Sequence, residues 1–185
     1  GMQSFPSMSM IESFTHEKDR SLDSDVMNAH QKAPLGTDNL MKYIENYYRM
    51  NDDFESIVEL SQIMQAEAIR FAVEAHRRNM PYCMGTLYWQ FNDCWPVISW
   101  SSIDYGGNWK ALHYAARKFF SPILVSIRDL DDKIEIHVIN DQHHEVESGI
   151  RLGLFNLDGD ALFKDSSEIN VEPVSYTHLT LPTSH

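Results

Sequence analysis

Through the middle of the chain, apolar residues recur every three or four positions, which is the spacing of one buried face of an α-helix. Asp52 or Asp53 can cap this helix, and Glu55 stands where a capping box could close on Asp52. Asn79 can take a left-handed C-cap, and Pro81 stops the helix. The apolar stripe predicts burial of Ile57, Leu60, Met64, Ala68, Phe71 and Ala75.

The first 120 residues mix further helical patterns with one apolar run. That run, residues 82–89, is bounded by turn-forming residues and has the length of a strand. The pattern predicts a short helix over residues 8–14, a helix from Thr37 or Asp38 to about Met50, a strand over 82–89 and a helix over 109–120 capped by Asn108.

The hydropathy pattern changes after Ser121 and Pro122, where helical spacing gives way to alternation with a period of two. Residues 133–138 alternate polar and apolar, as a half-buried antiparallel strand does. We therefore predict a domain boundary near residue 121, with α/β structure before it and all-β structure after it. The predicted strands are 123–128, 133–140 and 149–156, with turns at Asp131–Asp132 and at 158–160.

All four tryptophans lie within residues 82–109, at and beyond the end of the predicted strand. Polar residues alternate with Trp89 and Trp95 and would be costly to bury without partners, so we interpret these two indoles as a sugar-binding surface. For Trp100 and Trp109 we expect core positions. A site at the C-terminal end of a strand between two helices is typical of a (β/α)8 barrel. The interleaved polar residues are Gln90, Asn92 and Asp93.

Charge and composition argue against several kinds of binding function. A net charge of −12 over 185 residues argues against binding of nucleic acid or of an anionic membrane surface. His143, His144 and Glu145 form the densest group of metal-ligand residue types, but their loop spacing does not aim them at one ion, so we assign no metal. Cys83 and Cys94 flank one predicted strand and would lie too far apart to pair if the segment between them is extended, so we expect two buried thiols.

Three segments then resemble the exo-acting β-mannosidases of glycoside hydrolase family 2. They read Met-Gly-Thr-Leu-Tyr-Trp-Gln-Phe-Asn-Asp-Cys-Trp-Pro (84–96), Ser-Trp-Ser-Ser-Ile-Asp-Tyr (99–105) and Trp-Lys-Ala-Leu-His-Tyr (109–114). The resemblance runs through residues 1–128 and more weakly to about 173. It implies that residues 1–120 are the C-terminal part of a (β/α)8 TIM barrel, and that residues 121–173 begin an immunoglobulin-like β-sandwich.

The resemblance also implies a substrate, a site and a chemistry. The parent enzyme would release terminal β-D-mannose from oligosaccharides or glycoconjugates, with retention of configuration and without a cofactor. Trp89 would form a wall of the subsite that holds the terminal sugar, with Gln3, Asn92, Asp93 and Trp95 as candidate neighbours. Both catalytic glutamates of the family would lie upstream of Gly1, so we expect this segment alone to be inactive.

Two alternatives stay open on the sequence. One is a relative in the same superfamily that acts on another pyranoside, such as an exo-β-glucosaminidase or a β-galactosidase-like enzyme. The other is a non-catalytic carbohydrate-binding module. The sequence assigns no oligomeric state.

At each end of the chain, the sequence raises the question of whether the terminal residues are native. Gly1 either belongs to the family motif that surrounds the nucleophile or is a scar of tag cleavage. Residues 174–183 resemble the in-frame translation of a transposon-end sequencing adapter, so we expect residues 174–185 to be a non-native tail. A natural strand in this segment is the alternative.

Overall fold

The computed structural model describes residues 1–50, 53–131 and 133–182. Helices precede residue 120 and antiparallel strands follow it, in agreement with the change of hydropathy period. A single 3-10 turn, Glu17–Asp19, lies between the first two helices. The elements are α1 (Met8–Glu12), α2 (Asp25–Ala29), α3 (Gly36–Tyr47), α4 (Phe54–Arg78), α5 (Ala111–Phe119), β1 (Ile123–Leu130), β2 (Lys133–Asn140), β3 (Val146–Phe155), β4 (Ala161–Val171) and β5 (Ser175–Pro182).

The chain divides into two compact units, and the first comprises Gly1–Ala75 and Gly85–Phe119. Two apolar clusters hold this unit together because the helices turn their apolar faces inward. One cluster joins α1, α2, α3 and the start of α4, and the other joins the middle of α4 to α5. The first contains Phe5, Ile11, Met27, Leu40, Ile44, Ile57, Val58, Met64 and Ile98, and the second contains Ala66, Ile69, Val73, Leu112, Ala116 and Phe119.

Helix α4 forms where the apolar periodicity predicts it, and Asp53 caps its start, with Oδ1 accepting from the Ser56 amide at 3.0 Å. The alternative cap, Asp52, lies outside the described residues. The predicted stripe is wrong at Phe71, which is 72% exposed. The buried face is rotated instead toward Ser61 and Gln65, whose side chains bond backbone atoms of Phe5 and Met2.

Two other helices begin at positions that the sequence did not predict. Helix α3 starts after Leu35, a left-handed N-cap residue with φ of 56°, so Thr37 and Asp38 lie inside its first turn. Helix α5 starts at Ala111, because Asn108 bonds Asp104 with its amide instead of capping a helix. The left-handed cap expected at Asn79 is also wrong, because positive φ among the described non-glycine residues occurs only at Leu35 and Val174.

Residues 82–89 do not form a strand of either sheet among the described residues, and Tyr82 lies in a turn. The backbone of the first unit makes isolated bridges in this region, among them Asn92 with Ile103 and Ser4 with Ser99. A strand requires a ladder with neighbouring strands as well as a suitable sequence. The strand predicted over 82–89 is therefore wrong for this structure.

The second unit comprises His76–Met84 and Phe120–His185. Strands β1, β2 and β5 form one antiparallel sheet in the order β1-β2-β5, and β3 pairs with β4 in a hairpin. Strand β2 has the predicted bounds, while β3 begins three residues earlier than predicted. Gly159, with φ of 92°, lies in the predicted turn of the hairpin, where a left-handed conformation favours glycine.

Apolar residues from both sheets pack together in the second unit and form its core. The cluster contains Ile136, Val138, Ile150 and Val171. Arg77 and Asp141, both of this unit, form an ion pair at 2.7 Å. Residues 175–182 form β5, and Val174 before it lies in a turn with a positive φ. Asp132 of the predicted β1–β2 turn lies outside the described residues.

None of the helices described in the structure is long and apolar enough to cross a bilayer. No group of three or more histidine, cysteine, aspartate or glutamate side chains that could hold a metal ion occurs within residues 1–50, 53–131 and 133–182.

Candidate functional site

The aromatic window of residues 89–103 forms a loop that folds back on itself in the first unit. The Gln90 amide donates to the Trp100 carbonyl at 2.9 Å, and the Ser102 amide donates to the Gln90 carbonyl at 3.0 Å. The Trp89–Gln90 peptide is cis. These bonds fix both ends of the loop, so the residues between them are held in one arrangement.

Trp89 and Trp95 both reach the surface of the unit, with 65% and 36% of their area exposed. Trp95 packs beside His30, with ring centroids 5.4 Å apart, and His30 stacks on Phe14 at 4.0 Å. A bond of 2.6 Å between His30 Nδ1 and the Pro96 carbonyl oxygen fixes this stack. An exposed indole on a fixed support can lie against the apolar face of a sugar ring.

Asp93 lies beneath this surface, and its side chain is fully buried. Its Oδ2 atom accepts hydrogen bonds from Ser99 Oγ at 2.8 Å and Ser101 Oγ at 2.5 Å. Its Oδ1 atom accepts from Gln90 Nε2 at 3.3 Å and lies 3.8 Å from Lys32 Nζ. Both carboxylate oxygens therefore have protein partners, and Asp93 joins the two sides of the aromatic loop.

The other two predicted site residues differ in exposure. Asn92 is exposed, and its Nδ2 atom makes a long 3.4 Å bond to the Asp93 carbonyl. Gln3 is buried, and its Nε2 atom donates to Gln31 Oε1 at 2.9 Å. Gln3 also lines a cavity of about 190 Å³ whose wall includes Trp100. The structure thus brings Asn92 and Asp93 together, and it places Gln3 beside this cavity.

Lys32 belongs to this region, although its sequence pattern did not predict it. Its Nζ atom lies 3.5 Å from Gln90 Oε1 and 3.8 Å from Asp93 Oδ1, and 27% of its side chain is exposed. The available signal was its position directly after His30 and Gln31, which belong to the region of family resemblance.

Lys110 is a second residue that the sequence pattern did not predict, and it is fully buried. Its Nζ atom donates to Ser4 Oγ at 3.1 Å. Burial lowers the pKa of Lys110 to about 8, while the charges of Asp93 and Asp104 act in the opposite direction. A lysine at the start of a helix gives no sequence signal of such burial.

The positions expected to be core are in part exposed. Trp109 is 42% exposed and lies against His113, with ring centroids 4.3 Å apart, whereas Trp100 is half-buried. Cys94 is exposed and Cys83 is half-buried, so the expectation of two buried thiols is wrong. Within the loop, the interior positions are taken by Asp93 and by the three serines at 99, 101 and 102, while Cys94 lies at the surface.

The sequence of the chain is similar to those of β-mannosidases from animals and fungi. It is 37% identical over 145 residues to the β-mannosidase of Capra hircus, and 39% identical over 132 residues to β-mannosidase B of Aspergillus terreus. These alignments cover 71% and 69% of the chain but 16% of each relative. The chain thus spans about a sixth of the length of these relatives. No protein-family model matches the chain.

Solved structures give the same relationship. The β-D-mannosidase of Dictyoglomus thermophilum superposes with a TM-score of 0.90 at 32% identity, covering 97% of the chain and 22% of that protein. The exo-chitosanase of Amycolatopsis orientalis superposes with a TM-score of 0.80 at 19% identity, over 96% of the chain and 22% of that protein, which shows a shared fold alone. The chain belongs to the β-mannosidases of glycoside hydrolase family 2.

Proposed function

We propose that this chain is the part of a retaining exo-β-mannosidase that supplies one wall of the sugar subsite. The observation that carries the proposal is the 32% identity and TM-score of 0.90 with a β-D-mannosidase over 97% of the chain. The substrate of the whole protein would be a glycan or oligosaccharide with a terminal β-linked mannose. The distant exo-chitosanase supports the fold without supporting its substrate.

The proposal includes the architecture that the resemblance implies. In it, the first unit is the C-terminal part of a (β/α)8 barrel. The second unit is part of an immunoglobulin-like sandwich. Two facts support this division: the helices and the antiparallel strands occupy different parts of the chain, and two sheets share one apolar core in the second unit.

Within the site, Trp89 would stack on the apolar face of the terminal sugar, and its 65% exposure leaves the indole accessible. Trp95, supported by His30, would border the same ring, and the exposed Asn92 amide would bond a hydroxyl. Asp93 has its partners inside the loop, so we assign it a positioning role. Gln3 would act through Gln31 and the adjoining cavity wall.

The bond-breaking groups would come from the rest of the whole protein. A retaining glycosidase uses two carboxyl groups about 5–5.5 Å apart, one as nucleophile and one as acid and base. The resemblance assigns neither role to a residue of this chain. The chain would therefore bind and orient the sugar in the assembled enzyme and would not hydrolyse a glycoside alone.

The experiment is to express the full-length protein that contains this segment and to assay p-nitrophenyl β-D-mannoside and p-nitrophenyl β-D-glucosaminide. We expect turnover of the mannoside, with retention followed by NMR of the first-formed sugar, and no turnover by the 185-residue chain. Preferential turnover of the glucosaminide would replace the mannosidase proposal with the glucosaminidase alternative. Sugar binding by the full-length protein without any turnover would favour a binding module.

A further inference from the structure

Lys32 presents a positive charge at the edge of the candidate sugar site. Its ammonium lies 3.5 Å from the side-chain oxygen of Gln90, the residue that follows Trp89. Its other close partner is Asp93 Oδ1 at 3.8 Å, and 27% of the side chain stays exposed. The cation is therefore linked to the aromatic loop, and its side chain is partly exposed.

The backbone leading into Lys32 is bonded to the aromatic loop. The Lys32 amide donates to the Ile98 carbonyl at 3.2 Å, and the Ile98 amide donates to the His30 carbonyl at 2.7 Å. Gln31 makes a parallel bridge to Ile98. These bonds hold the backbone of residues 30–32 against the aromatic loop, and the contact with Gln90 Oε1 places the ammonium beside that residue.

Asp93 is a counter-ion of Lys32, and its carboxylate also accepts other hydrogen bonds. Two serine hydroxyls bond Oδ2, and the Gln90 amide bonds Oδ1 at 3.3 Å, whereas Lys32 lies farther away at 3.8 Å. Lys110 also feels the charge of Asp93. An ammonium has three donors, so Lys32 keeps donor capacity beyond its contacts with Gln90 Oε1 and Asp93 Oδ1.

We propose that Lys32 is a specificity-determining residue, whose ammonium donates a hydrogen bond to a hydroxyl of the bound mannoside and disfavours a sugar that carries an ammonium of its own. The inference rests on the proposed function. The inference concerns the discrimination between a mannoside and a glucosaminide. One protein of similar fold has been solved in complex with p-nitrophenyl β-D-glucosamine. Repulsion between two like charges a few ångströms apart, at an effective dielectric constant of about 20, changes relative binding by about tenfold or more.

The test uses the full-length protein and compares kcat/KM for p-nitrophenyl β-D-mannoside and p-nitrophenyl β-D-glucosaminide. We expect Lys32→Gln to lower the mannoside-to-glucosaminide ratio about tenfold, and Lys32→Glu to lower it further. Lys32→Arg keeps the charge and should retain the ratio within about threefold. The matched control is Lys42→Gln, since Lys42 is exposed on α3, and it should change neither rate constant.

A role of Lys32 in folding alone gives a different result. If Lys32→Gln lowers kcat/KM equally for both substrates, or leaves the ratio unchanged, the specificity inference is overturned while the mannosidase proposal stands. If the unsubstituted full-length protein does not turn over the mannoside, the proposed function itself fails, and the inference that depends on it is overturned with it.

Discussion

The ammonium of Lys110 lies 3.1 Å from the hydroxyl of Ser4, although the two residues are 106 positions apart in the chain. Ser4 in turn donates to Gln65 Oε1 at 2.8 Å, so three distant segments meet at one buried polar cluster. An apolar residue at any of these positions would leave a buried donor or acceptor without its partner.

Lys110→Met should change the pH dependence of stability. Burial lowers the pKa of Lys110 from 10.5 to about 8, so between these values the unfolded chain holds a proton that the folded chain has released. Stability therefore rises with pH through this window, by about 3 kcal/mol in total. Urea unfolding at pH 7 and pH 10 should show that the variant lacks this rise. Parallel pH profiles for both proteins would contradict the assignment, and Lys42→Met, at an exposed position, should behave as the unsubstituted chain does.

Asp93→Asn should destabilise the fold by about 3 kcal/mol, because it removes the negative charge that faces Lys32 and Lys110 in a buried setting. The amide nitrogen also cannot accept from the serine hydroxyls. Denaturant midpoints of the variant and of the unsubstituted chain measure the effect. Asp23→Asn, at an exposed position, is the matched control and should stay within about 0.5 kcal/mol. Equal denaturant midpoints for Asp93→Asn and Asp23→Asn would show that the buried contacts of Asp93 do not stabilise the fold.

Gly36→Ala should destabilise the start of α3. A Cβ atom there would lie 2.4 Å from Gln3 Oε1 and 2.6 Å from Gln31 Oε1, and moving either side chain breaks their mutual bond. We expect a net loss of about 1–3 kcal/mol despite the better helix propensity of alanine. Gly85→Ala is the control, because nothing lies within 4 Å of a Cβ atom at that position.

The double variant Gln3→Ala with Gly36→Ala tests the cause of that loss. If the clash with Gln3 produces it, the double variant should be more stable than the sum of the single changes predicts. If the losses of stability in the two single variants simply add in the double variant, the clash with Gln3 is not the cause.

Trp89→Ala in the full-length protein should lower kcat/KM for p-nitrophenyl β-D-mannoside at least tenfold, because a stacking indole contributes about 1–3 kcal/mol to binding a ring. Trp109→Ala is the matched control, since this indole is also exposed but lies against His113 and Tyr114. We expect the control to change activity less than threefold. An equal loss of kcat/KM in both variants would contradict the assignment of Trp89, and not Trp109, to the sugar subsite.

Local pattern predicted those elements whose structure depends on their own residues. Helix α4 and strand β2 have the expected positions, because periodicity of 3.6 or of two is an intrinsic property of each segment. The strand over residues 82–89 was not formed, because a strand depends on a ladder with other strands. Phe71 shows a similar dependence, since which face of α4 is buried is decided by the residues that pack against it.

The candidate site was predicted only where its features depend on neighbouring residues in the sequence. Exposure of Trp89 and Trp95 follows from polar residues that alternate with them. The contacts of Asp93 with Lys32, Ser99 and Ser101 could not be predicted, because they depend on how the loop folds back and on a segment 61 positions earlier in the sequence. Burial of Lys110 likewise depends on the distant Ser4.

Cys94 stands exposed between Asp93 and Trp95, while Cys83, the other thiol of the chain, is half-buried. This gives the aromatic loop a native attachment point for a reporter group. A small environment-sensitive fluorophore coupled through maleimide chemistry would sit one residue from the indole that borders the candidate subsite. Its fluorescence emission would report sugar binding in inactive forms of the protein, in which binding cannot be followed through product formation.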